Sequence, residues 1–84
     1  MTTTLTLISK PDCHLCDDAR AVIDQVTAAF GDHAPEREEL SILDDPALFD
    51  RYWEEIPVVL INGKVHNYWR IDPVRLARAL EEAR

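Results

Sequence analysis

The chain has 84 residues, enough for one domain and near the lower limit for a core that holds together without staples. It is 46% hydrophobic and 30% charged, the balance of an ordinary globular protein, and no apolar run nears the roughly 20 residues that cross a bilayer. Nine basic against sixteen acidic residues give a formal charge of −7, which argues against nucleic-acid binding, because that rests on a basic footprint.

Met1-Thr2-Thr3-Thr4 lacks the basic segment and long apolar stretch of a signal peptide, so a reducing cytoplasm is the expected compartment. Leu5-Thr6-Leu7-Ile8 reads as a first strand, broken by Ser9-Lys10-Pro11-Asp12. Leu15, Ala19, Val22, Ile23, Val26 and Phe30 recur at helical spacing, which predicts a helix from about Cys13 to Phe30 with Gly31 as its stop. The acidic run from Glu36 to Glu39 reads as solvated surface, and Glu38 to Leu43 as a second strand with Leu40 and Ile42 on one face. That strand is expected to run parallel to the first, because the connection passes through a helix. Asp45-Pro46 is a capping acid followed by a first-turn proline, opening a short helix that ends near Trp53, ahead of Ile56-Pro57.

Val58-Val59-Leu60-Ile61 is the continuous apolar run of a buried central strand. Asn62-Gly63 signals a two-residue hairpin turn with positive φ at both positions, returning Lys64 to Tyr68 as an antiparallel edge strand. Asp72-Pro73 repeats the cap-and-proline start, and Val74, Leu76, Ala77, Leu80 and Ala83 form the apolar face of a last helix. Trp53, Tyr68 and Trp69 read as core or half-buried rings. The order β-α-β-α-β-β-α makes an α/β domain over residues 1–84, with a four-stranded mixed sheet and helices on both faces. A monomer is expected.

The only two cysteines, in Cys13-His14-Leu15-Cys16, open the first helix directly after the first strand. A Cys-x-x-Cys in that setting reads as a thiol-disulfide redox site. Positions i and i+3 share a helix face at a separation that a disulfide spans. The helix start, with its partial positive charge and unpaired N–H groups, favours a thiolate, so Cys13 is expected to titrate below the free-thiol value of about 8.5. Three other uses weigh less. Inert core cysteines are more often isolated, and a three-residue loop gives a static disulfide little entropic effect. Structural zinc needs four ligands, whereas His14, His33 and His66 are scattered, so no metal is expected.

Cys13, nearest the strand end where ligands approach open α/β sheets, is the expected nucleophile. Cys16, one turn inside, is the expected resolving thiol. His14 reads either as a cation supporting the thiolate or as an exposed polar residue of the first turn, and Leu15 as an apolar rim. Asp12 works against a thiolate and reads as a helix cap. Trp69 follows the edge strand and is the ring placed to line a groove.

Lys10-Pro11-Asp12-Cys13-His14-Leu15-Cys16 resembles the Lys-Pro-x-Cys-Pro-Tyr-Cys of dithiol glutaredoxins, and Glu55-Ile56-Pro57-Val58 resembles their Thr-Val-Pro segment. The likeness runs from Leu5 to about Leu80 and is strongest to small bacterial glutaredoxin-like proteins that carry Cys-His-Leu-Cys. It implies a thioredoxin-type fold, a dithiol-disulfide oxidoreductase with a redox-active Cys13–Cys16 disulfide and no bound cofactor, and a cis Ile56–Pro57 bond. It also implies that Lys10 holds a substrate carboxylate and that Ile56 offers its N–H and C=O to an incoming peptide or glutathione. The implied partners are a disulfide-bearing protein or small thiol, with glutathione or a reductase as electron donor. A non-catalytic binding module and a metal or iron–sulfur carrier using Cys13 are the rival classes. One departure bears on the donor. Tyr68-Trp69-Arg70-Ile71-Asp72 stands where glutaredoxins have a Gly-Gly pair that admits glutathione, and Arg70 is the residue there able to grip a carboxylate. Weak activity with glutathione and better turnover with a reductase are therefore expected.

Overall fold

Four strands and three α-helices alternate as β-α-β-α-β-β-α in the computed structural model, which describes residues 3–83. Met1, Thr2 and Arg84, which the domain span and the leader reading include, lie outside the described residues. The elements are β1 (Thr4–Ser9), α1 (His14–Ala28), β2 (Glu36–Ser41), α2 (Pro46–Tyr52), β3 (Val58–Ile61), β4 (Lys64–Tyr68) and α3 (Pro73–Ala83). The sheet order is β2-β1-β3-β4, with β1 and β2 parallel and the other neighbours antiparallel.

Alternation along β1 divides the core into two layers. Leu5 and Leu7 join Val59 beneath α1 and α3, where Ala19, Ile23, Val26, Leu76 and Leu80 close one face. Ile8 points the other way and meets Ile42, Val58 and the α2 residue Tyr52. Helices thus cover both faces, two on one side and one on the other.

Several boundaries differ from the sequence reading. Helix α1 begins at His14, because Cys13 is still extended (φ −117°, ψ 109°) and serves as the N-cap. It ends at Ala28, where the Ala29 and Phe30 N–H groups bond back only three residues and tighten the turn. Gly31 (φ +55°) then begins a 3₁₀ turn, Gly31–His33, and so lies beyond the helix stop expected of it. Strand β2 starts two residues early, at Glu36, and ends at Ser41. It is an exposed edge whose charged residues discourage further pairing.

The two capping acids act as expected. Asp45 Oδ1 accepts from the Ala47 N–H, and Asp72 Oδ1 from those of Val74 and Arg75. Asn62 (φ +51°) and Gly63 (φ +81°) form the hairpin turn with both φ values positive. The β3–β4 register shifts between Val59 and Leu60, and His66 sits opposite that irregularity with Nε2 buried and unpaired. Burial, helped by the nearby Arg75 charge, holds the His66 pKa below its ordinary value.

Candidate active site

Pairing puts every candidate loop at one end of the sheet. The parallel strands β1 and β2 finish together, Ser9 opposite Ser41. At the same end β3 begins, with Val58 opposite Ile8, and β4 finishes, with Tyr68 opposite Val58. The loops that carry Cys13, Leu43, Pro57 and Trp69 all leave from there.

Cys13 and Cys16 are joined as a disulfide, their Cα atoms 5.2 Å apart. Their exposures differ: Cys13 is half-buried, while Cys16 is wholly enclosed. The Cys16 N–H donates to Cys13 Sγ at 3.1 Å, so the sulfur fills the cap position that an oxygen usually holds. Asp12 is therefore not the cap. Its positive φ (+57°) turns the chain between Pro11 and Cys13 instead.

The first turn of α1 is braced against the sheet. Arg20 donates through Nη1 to Asp17 and through Nε and Nη2 to both Glu39 carboxylate oxygens, at 2.7 to 2.9 Å. Ser9 Oγ also donates to Glu39, at 2.9 Å. The Arg20 hydrogen bonds hold the Glu39 carboxyl below the usual carboxylate range, against a smaller opposing effect of burial, and the Ser9 bond assists. A second pair, Arg37 with Asp24, links β2 to α1 further along.

The Ile56–Pro57 peptide bond is cis and leads into β3. Ile56 differs from expectation, because its N–H is already donated to the Tyr52 carbonyl at 3.1 Å, completing the last turn after α2. Only its carbonyl is left for pairing with a ligand. Trp69 brackets this loop: its N–H donates to the Pro57 carbonyl and its indole Nε1–H to the Glu54 carbonyl, both at 2.9 Å. It does so with φ +63°, a left-handed conformation that a bulky residue seldom adopts.

Leu15, Trp69 and Arg70 come together, with Asp18, Val22 and Ile71, around a cavity of about 220 Å³. Lys10 and His14 are exposed on either side of Cys13 in the chain. The expected burial of the aromatic rings is corrected: Trp53 and Trp69 are each 53% exposed and Tyr68 is also exposed, whereas Tyr52 is the buried ring. Burial follows α2 geometry, since Leu48 and Tyr52 face the sheet and Phe49 and Trp53, one position on, face away. Among the described residues no group of three or more His, Cys, Asp or Glu side chains is placed to hold a metal ion.

Besides the Cys13 cap, the sequence reading missed three features: the Arg20–Glu39–Ser9 brace, the Glu54 contact of Trp69, and the outward Phe49–Trp53 pair. The third carried a signal, since two adjacent i,i+4 apolar pairs on so short a helix cannot both face the sheet.

The family model of the glutaredoxin-like domain (DUF836) matches residues 4–81. The chain belongs to that family. A structural-genomics target protein from X. campestris, solved by X-ray diffraction and in solution, is 32% identical. The X-ray structure superposes with a TM-score of 0.75 over 95% of this chain and 99% of that one. Chloroplastic thioredoxin z shares the fold at 12% identity and a TM-score of 0.75, over 98% of this chain and 78% of its own. Thioredoxin 1 from Thermosipho africanus does so at 13% identity and a TM-score of 0.59, over 95% and 97%. The glutaredoxin-like domain therefore has a thioredoxin-type fold with its Cys-x-x-Cys disulfide at the start of α1.

Proposed function

We propose that this glutaredoxin-like chain is a dithiol-disulfide oxidoreductase. The observation that carries the reading is the asymmetry of the pair: a half-exposed Cys13 at the helix cap, receiving the Cys16 N–H, beside a fully enclosed Cys16. In the reduced state a Cys13 thiolate is favoured by that hydrogen bond and by the helix dipole. It attacks one sulfur of a partner disulfide, forming a mixed disulfide and releasing the other sulfur as a thiolate. Cys16, as thiolate, then attacks Cys13 Sγ, which frees the second partner thiol and leaves Cys13–Cys16 oxidised. Two electrons have passed to the partner, and a donor dithiol restores the pair.

Lys10 and His14 flank the nucleophile and serve the approach of an acidic or polar substrate group. Leu15 and Trp69 form the apolar surround, and the buried cis Pro57 holds the loop from which Ile56 contributes its carbonyl. The donor we favour is a reductase protein, because the Trp69 and Arg70 side chains line a small cavity that adjoins Leu15. A monomer working in a reducing compartment fits this scheme, with no bound cofactor.

Reduction of insulin and of bis(2-hydroxyethyl) disulfide by the pre-reduced protein tests the reading. Activity abolished by Cys13→Ser is the expected result. Wild-type protein inert toward both substrates would refute it and favour a binding module. A coupled NADPH assay with each donor supplied separately tests the donor. Efficient glutathione turnover, lost in Lys10→Ala and Arg70→Ala, would reverse that preference.

A further inference from the structure

The exposed edge of α2 is not used by the chemistry above. Leu43, in the loop between β2 and α2, is 63% exposed, and with Pro46, Phe49 and Asp50 it frames a shallow depression. Phe49 (43% exposed) stacks with Trp53 (53% exposed), ring centroids 6.4 Å apart. The next residue, Glu54, supplies the carbonyl held by the Trp69 indole, so the apolar strip leads to the cis-proline loop. A strip of this kind, rather than scattered single residues, marks a contact surface.

Its charge identifies the occupant. The segment from Leu43 to Glu55 holds five carboxylates, Asp44, Asp45, Asp50, Glu54 and Glu55, against one cation, Arg51. No ion pair engages any of the five among the described residues. Asp45 is committed to its helix cap. Asp44, Asp50 and Glu54 are exposed along the same segment, and Asp50 lines the depression with Phe49. Arg51 lies over the Tyr52 ring, 5.3 Å from its centroid. A second copy of this chain would set these carboxylates against each other, and an acidic partner would be repelled.

We propose that the strip Leu43–Phe49–Trp53, with its carboxylate border, docks a polypeptide that presents lysines or arginines around an apolar anchor and carries its disulfide toward Cys13. The proposal rests on the oxidoreductase reading and names the substrate class. Apolar contact supplies residence, and the carboxylates supply steering and selection against acidic partners.

The test uses two peptides with the same central leucines and one cysteine disulfide-linked to a chromogenic thiol, flanked by lysines in one and glutamates in the other. Pre-reduced protein should consume the lysine peptide at least about tenfold faster at low ionic strength, and the advantage should shrink as salt rises. Asp44→Asn/Asp50→Asn/Glu54→Gln should remove most of that advantage. A remote set of equal charge, Asp32→Asn/Glu81→Gln/Glu82→Gln, should leave most of it. Phe49→Ala/Trp53→Ala should slow both peptides and spare bis(2-hydroxyethyl) disulfide.

Equal rates for the two peptides, or equal effects of the local and remote sets, would overturn the docking site while leaving the chemistry standing. So would a dimer, seen by sedimentation, that Phe49→Ala disperses. Binding of lysine and glutamate peptides with serine in place of cysteine, titrated in parallel, reads docking without chemistry. A lysine peptide that binds no better than the glutamate peptide sinks the proposal even if the redox reading has already failed.

Discussion

Replacing Cys16 with serine should halt the proposed cycle after its first bond. Cys13 still faces solvent and can attack a substrate disulfide, but nothing on the chain can then release it. In the wild type the second thiol is held one helical turn away, at a Cα separation of 5.2 Å, inside the reach of a disulfide. Well-oriented intramolecular reactions reach effective molarities of about 10⁵ M and above. Even after a discount of several orders of magnitude for imperfect alignment, the local concentration stays near 1 M or higher. An external thiol at about 1 mM competes poorly with that, so resolution in Cys16→Ser should slow by at least about 10³-fold. The assay is single-turnover reaction with a peptide disulfide, quenched in acid and read by intact-mass measurement. One peptide adduct per chain should accumulate in Cys16→Ser and none in Cys13→Ser. Serine leaves a hydroxyl in a fully enclosed position, so Cys16→Ala provides a second variant with the same expected adduct. Adduct trapped by Cys13→Ser instead, or wild-type turnover by Cys16→Ser, would refute the assignment of roles.

Three further outcomes follow from the geometry. Trp69→Phe keeps a ring but loses the hydrogen bond to the Glu54 carbonyl, and should lower unfolding free energy by about 0.5–1.5 kcal/mol in a denaturant titration. Gly63→Ala meets no atom within 4 Å of its new Cβ, yet φ +81° suits only glycine well, so chemical denaturation should show a loss of about 1 kcal/mol from backbone strain alone. His66 has a folded pKa held below the unfolded value near 6.5, so acidification protonates the unfolded chain first. Its effect is that stability falls as pH drops from about 6.5 through the lower folded value, and His66→Asn should flatten that part of a melting-temperature profile against pH.

Where a local rule dictated the backbone, the sequence was readable. Asp45-Pro46 and Asp72-Pro73 start helices because a side-chain oxygen satisfies first-turn N–H groups, and Asn62-Gly63 turns because both positions adopt positive φ. The Cys-x-x-Cys was legible for a similar reason, since its geometry lies within one helical turn. The features that escaped depend on residues far apart in the chain. Glu39 meets Arg20 and Ser9 only because β2 lies beside β1, and Trp69 finds Glu54 only because β4 ends where β3 begins. The Cys13 cap escaped through a weaker rule: an adjacent aspartate outranks a cysteine as a cap on propensity alone, but the turn at Asp12 placed the sulfur there.

Trp69 links the two halves of the functional reading. A left-handed conformation costs an ordinary residue roughly 1–2 kcal/mol, a sizeable part of the stability of so small a domain. Glycine would avoid that cost, yet glycine has no indole to hold the Glu54 carbonyl. The strain is therefore offset by what the ring does, which is to join the loop entering β3 to the loop leaving β4. That junction has two consequences for ligands. It puts bulk beside Leu15 and Arg70, where a small tripeptide would need open backbone, and it carries the apolar surface from Trp53 toward the cysteines. On the oxidoreductase reading proposed above, bulk beside Leu15 together with an apolar surface that leads away from Trp69 suits substrates and an electron donor that are themselves proteins.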